Sequence, residues 1–118
     1  MAIQMHPGFS FIYEMVRKVP ELQELFDDHL RQNKGLLPHV FMGDVTRFTV
    51  EQMKSRDNVV VQVLLDYFEE ALQAGSSSEQ ELIAASFVEN LQDEKETLRK
   101  LKPMMGPYLK RAWIETSE

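Results

Sequence analysis

Between Asn58 and Ala74 the chain reads NVVVQVLLDYFEEALQA, and no other stretch limits the fold so strongly. Its first half, VVVQV, is β-branched and would suit a strand. Its second half repeats apolar residues at helical spacing, and Gly75 follows as a natural helix stop. Read as one helix, the segment is apolar most of the way round, through Val59, Val60, Val61, Val63, Leu64, Leu65, Tyr67, Phe68, Ala71 and Leu72. Such a helix is stable in water only when other helices surround it, so it is expected at the centre of an all-α fold.

The flanking sequence supplies those helices. Phe9, Ile12, Tyr13, Val16 and Val19 form a stripe over Phe9–Val19. Pro20 suits the first turn of a second helix, with Glu21 and Glu24 placed favourably for its dipole, an apolar face of Leu22, Leu25, Phe26 and Leu30, and a stop at Gly35. A third segment, Leu36–Lys54, is interrupted by Pro38, and Gly43-Asp44 reads as a break with Asp44 capping a helix from Val45. Ser55-Arg56-Asp57-Asn58 makes a turn. After Ser76-Ser77-Ser78, Ser78 and Glu81 have capping-box spacing before a helix over Glu79–Leu91, whose alanines permit close packing. Asp93–Leu101 is a short charged helix, and Tyr108–Ile114 a last amphipathic turn or two beyond Pro103 and Gly106-Pro107. The expectation is one helical domain over residues 1–118, of about six helices in an antiparallel hairpin stack or irregular bundle, flexible at about 1–8 and 115–118.

Composition narrows the function. At 118 residues, 43% hydrophobic and 27% charged, the chain can bury a core without staples. Without cysteine it has no disulfides, thiolate metal sites or cysteine nucleophile. The start, MAIQMHPGFSFIYEMV, has no signal-peptide pattern and no apolar run reaches membrane-spanning length, so a cytoplasmic location is expected and no membrane partner. A net charge of −6 disfavours nucleic acid, although Lys95, Arg99, Lys100, Lys102, Lys110 and Arg111 concentrate six of the 13 basic residues near the C-terminus.

No catalytic motif and no cofactor or metal signature is present: HExxH, GxSxG, the P-loop and GxGxxG are all missing. His6, His29 and His39 are the histidines. His29 lies on the apolar stripe of its helix, and a continuous helix through Leu37–Phe48 would place Asp44 among Leu37, Phe41 and Phe48, where a carboxylate needs a partner. Two readings stay open: His29 or His39 pairs with Asp44 in an acid–base or metal site, or His29 is a hydrogen-bonded core histidine and Asp44 a cap. Tyr67, Phe68, Phe87 and Trp113 either line a pocket or fill the core, and Met104-Met105 looks like the most exposed methionine pair.

The blocks GLLPHVFMGDVTRF (Gly35–Phe48) and ELIAASFVENL (Glu81–Leu91) resemble those of an uncharacterised family of small bacterial helical proteins, over roughly Val19 to Leu109. The resemblance highlights Pro38, His39, Gly43, Asp44, Glu89 and Asn90, and implies an immunity or accessory role rather than an activity. His39, Asp44 and Asn90 form the expected polar cluster. The leading expectation is a protein-binding module, an immunity protein that occludes a basic toxin or effector through Asp66, Glu69, Glu70, Glu89, Asp93 and Glu94. The alternatives are a small enzyme or metal-binding protein using His29, His39 and Asp44, and a homo-oligomer built through Met104–Trp113.

Overall fold

The computed structural model describes residues 7–55 and 58–117, and every regular element among them is helical. In chain order these are α1 (Pro7–Lys18), a 3₁₀ turn (Pro20–Leu22) leading into α2 (Gln23–Asn33), α3 (Pro38–Lys54), α4 (Asn58–Ala74), α5 (Ser77–Ile83), α6 (Lys95–Leu101) and α7 (Pro107–Ser117). A π-helical turn (Ala84–Val88) and a 3₁₀ turn (Glu89–Leu91) continue α5, and a 3₁₀ turn (Lys102–Met104) continues α6. The β-branched run of α4 is helical, because the continuation through Phe68 and Ala71 has a helix-spaced face to bury and tertiary packing overrides the local strand preference. The expected termini are thus helical at residues 7, 8 and 115–117, while His6, the rest of 1–6, residue 118 and the Arg56-Asp57 part of the expected turn lie outside the described residues.

Helix α4 packs against α1, α3, α5 and α7. Its Val61, Leu64, Leu65 and Phe68 are almost fully buried. Rings extend the contact outward on both sides. Phe68 meets Phe87 edge-on at 4.7 Å, Phe11 stacks near both Phe68 and Tyr67, and a second chain of edge contacts links Tyr13, Phe26, Phe41 and His29 across α1, α2 and α3. Phe68, Phe87 and Met105 are core residues and Met104 and Trp113 pack against that core, so the Met104-Met105 pair is not the exposed feature its sequence suggested.

Two boundaries differ from the sequence reading. Helix α3 does not break at Gly43-Asp44: Pro38 occupies its first turn, where a missing N–H is harmless, and the helix runs on to Lys54. A helix-interior glycine costs about 1 kcal/mol relative to alanine. Burial of Phe41, Met42, Val45, Val50 and Met53 along α3 exceeds that several times over. The capping box is Ser76–Glu79, not Ser78–Glu81: Ser76 Oγ accepts from the Glu79 N–H at 3.3 Å, and Glu79 Oε1 accepts from the Ser76 N–H at 3.2 Å. Both serines have a glutamate three residues on, and the earlier pair wins because α4 ends at Ala74, which leaves a very short connection. Gln80 then reaches back, donating to the carbonyls of Leu72 and Gly75 at the end of α4.

The last segment is a full helix, and its cap comes from elsewhere in the chain. Glu69 of α4 accepts from the Tyr108 N–H through Oε2 and from the Leu109 N–H through Oε1, both at 2.9 Å. Those are first-turn donors with no partner inside α7, and the carboxylate also meets the positive end of the helix dipole. Gly106 makes room for it, since an alanine Cβ there would collide with the Glu69 side chain. Glu69→Ala is therefore expected to destabilise the fold by about 1–2 kcal/mol, read as a lower urea midpoint with unchanged slope.

Tyr67 joins α4 to α1, donating its hydroxyl proton to the Phe11 carbonyl at 2.8 Å. Burial pushes its phenol above the ordinary value, and the charges of Glu14, Glu79 and Glu70 add to the shift. A folded-state value above the unfolded one means that the unfolded chain gives up the proton first. The stability Tyr67 contributes is intact below about pH 10 and falls as the pH climbs beyond it. Urea unfolding of wild type and Tyr67→Phe over about pH 8–11 is expected to show the wild type losing more stability than the variant at the alkaline end.

Candidate functional site

The residues of the two motif blocks do come together, but as two separate polar clusters on α3. In the first, His29 is buried with 2% of its surface exposed. Its Nε2 accepts from the Leu37 N–H at 3.0 Å, which assigns the ring proton to Nδ1. Nδ1 lies 3.6 Å from Asp44 Oδ2 and 3.2 Å from Asn33 Nδ2, while Asn33 also donates to the His29 carbonyl. Asp44, its side chain 20% exposed, is shared with Arg47 one turn along α3. Asp44 therefore sits within a continuous helix and is no N-cap, and its charge is met by a guanidinium and an imidazole. The cluster pins the α2–α3 connection, where Lys34 takes a left-handed conformation at φ 56°.

His39 belongs to the second cluster. Its Nδ1 shares a 2.5 Å hydrogen bond with Ser86 Oγ, in the π-helical turn that follows α5. Two side chains converge on the Ser86 carbonyl: Asn90 Nδ2 donates at 2.6 Å and Thr46 Oγ1 at 3.3 Å. A π-turn loosens the regular backbone ladder, and here side-chain donors from α3 and from the following 3₁₀ turn complete it. His39, Asp44 and Asn90 thus do not form one cluster. His39 and Asn90 meet at Ser86, and Asp44 faces His29. Ser86 and Thr46 were not singled out by sequence reasoning, because a serine in AASF and a threonine within a helix carry no local signal beyond the back-bond Thr46 makes to the Met42 carbonyl.

Two open clefts flank these clusters. One, of about 450 Å³, is walled by Phe9, Pro38 and Leu82 with His39, Ser78 and Glu81 at its polar edge. The other, of about 460 Å³, runs between α3 and the start of α6, with Arg47, Glu51 and Lys54 on one side and Asn90 and Glu94 on the other. Gly43 lies in its wall, and an added Cβ there would meet only Arg47 and Asn90, at 3.9 Å. Among the described residues no three His, Asp or Glu side chains converge as a metal site, and no helix is long and apolar enough to cross a membrane.

The six acids expected to form an interface have different fates. Glu69 caps α7, and Asp66 accepts from Gln62 one turn back, which itself donates to the Met104 carbonyl. Glu70 is exposed beside Tyr67, whose surroundings include Glu14 and Glu79. Glu89, Asp93 and Glu94 are exposed at the junction before α6 and enter no ion pair among the described residues, whereas Glu14, Asp28, Glu51 and Glu96 each pair with a cation three residues along.

The two histidines are expected to respond very differently to truncation. His29→Ala removes a buried ring and strands the Leu37 N–H, so a loss of about 3 kcal/mol is expected. His39 is exposed, so His39→Ala is expected to cost about 1 kcal/mol or less. Equal losses in chemical denaturation would contradict the assignment of His29 to the core and His39 to the surface.

A family model described as Domain of unknown function (DUF7674) matches residues 12–118. No curated protein and no solved structure gives a significant match to the chain. The matched span takes in both polar clusters and every helix from the middle of α1 onward, and the chain belongs to the DUF7674 family.

Proposed function

We propose that this protein is a binding module for another protein, an immunity-type inhibitor of the bacterial cytosol that occludes a cationic toxin or effector. The observation that carries this reading is the group Glu89, Asp93 and Glu94, exposed together before α6 and unpaired by any cation of the described chain. Leaving carboxylates uncompensated in a protein of net charge −6 sustains a negative field at that face. Such a field speeds the encounter with a basic surface and rejects acidic ones. The histidines and hydroxyls of the motif blocks have a scaffold use in this reading: they hold α3 to its neighbours and thereby fix the junction that displays the acids.

Capture of the tagged protein's partners from its host's extract at low and moderate salt tests the proposal. The expected result is one stoichiometric basic protein, lost as salt rises. The combined substitution Glu89→Lys, Asp93→Lys and Glu94→Lys is expected to weaken its binding at least about tenfold, chiefly by slowing association. A partner held equally well by the charge-reversed protein, or no stoichiometric partner at any salt, would overturn the proposal.

A further inference from the structure

Between the last two helices lies a groove rimmed by cations in a chain that is acidic as a whole. It has a volume of about 340 Å³ and is lined by Gln92, Lys95, Leu98, Arg99, Lys102 and Trp113. Leu98 and the Trp113 ring give it an apolar floor, Leu98 buried and Trp113 partly so. Three cations rim it and no carboxylate lines it, in a chain of net charge −6. Arg99 is paired with Glu96, and Lys102 Nζ rests 4.4 Å from the centre of the Trp113 ring. The Trp113 Nε1–H is buried and has no acceptor among the described residues.

We propose that this groove binds an acidic peptide segment in which two carboxylates flank one apolar side chain. Lys95 opens α6 and Lys102 begins the 3₁₀ turn that continues it, about 10 Å further along at a rise of about 1.5 Å per residue. That is the length of about three extended residues. In an extended acid–apolar–acid triplet the two acids stand about 7 Å apart on one side of the chain and the central residue on the other. With the central side chain turned down onto Leu98 and the indole, the carboxylates turn up to the rim, where the long, flexible lysine stems reach them. The groove is an open trench along one helix face rather than an enclosed pocket, which suits a linear segment better than a compact nucleotide. Asp93, Glu94 and Glu96 lie in the adjoining turns, so the attraction is local and sensitive to ionic strength.

Trp113 is the only tryptophan in the chain, so its fluorescence reads the groove directly. The full chain is titrated with the blocked peptides Gly-Glu-Phe-Glu-Gly and Gly-Glu-Leu-Glu-Gly, with Gly-Lys-Phe-Lys-Gly, Gly-Glu-Ser-Glu-Gly and adenosine monophosphate as comparisons. A saturable spectral change is expected with the first two alone, with Kd raised about tenfold or more in Lys95→Glu, whose fold is checked by circular dichroism. Lys102→Ala, which leaves the groove its other two cations, Lys95 and Arg99, provides a second variant with the same expected direction. No saturable change, an equal response to the lysine peptide, a response to the nucleotide in place of the acidic peptides, or an unchanged Kd in both folded variants would each overturn the proposal.

Discussion

Helix α4 can persist in water only if its apolar face is covered: Val60, Val61, Leu64, Leu65, Phe68 and Ala71 share one broad face, while Val59 and Val63, expected to be enclosed as well, stay exposed. Helices α1, α3, α5 and α7 cover it, and α4 in turn supplies polar groups that fix them. Tyr67 holds the α1 backbone at Phe11, Gln62 holds the turn after α6 at Met104, and Glu69 holds the start of α7 at Tyr108 and Leu109. The last of these meets backbone N–H groups that have no partner within their own helix. The one helix thus provides both the apolar centre and the polar restraints, and truncating a large core side chain such as Phe68 there would cost about 3–5 kcal/mol.

Periodicity made most helices legible but not every buried face: of the stripe Phe9, Ile12, Tyr13, Val16 and Val19, Phe9 and Tyr13 are exposed, and Phe11 and Met15 complete the buried face with the other three. What stayed hidden was settled by contacts between distant residues. Gly43 looks like a break in the local sequence, and only the burial of the residues on either side of it keeps α3 continuous. The register of the capping box was ambiguous because SSSEQE offers a serine–glutamate spacing twice, and the choice depends on where α4 stops. The length of α7 was hidden because its cap, Glu69, lies 39 residues before Tyr108.

The candidate site was legible as a set of residues and not as a geometry. Reading the chain left two options, a histidine paired with Asp44 or His29 as a hydrogen-bonded core residue with Asp44 as a cap. In the folded protein His29 is buried against Phe41, bonded to Leu37 and 3.6 Å from Asp44, which lies inside α3 and caps nothing. His39 instead turns to Ser86, a partner 47 residues away in a π-turn that no periodicity signals. The acids behaved similarly: Glu69 is drawn into the scaffold, while Glu89, Asp93 and Glu94 remain exposed together. Charge on this surface is therefore sorted by segment, with uncompensated carboxylates before α6 and a cation-rimmed groove along it.

The dependence of the fold on α4 is tested most directly by native-state hydrogen exchange of the free protein. Amides from Val61 to Phe68 should exchange only through global unfolding. The Tyr108 and Leu109 amides should also be protected, although first-turn amides ordinarily face water. Fast exchange at Tyr108 and Leu109, or opening of α4 at a lower free energy than α1 and α3, would contradict the role of α4 as the element on which the others are fixed.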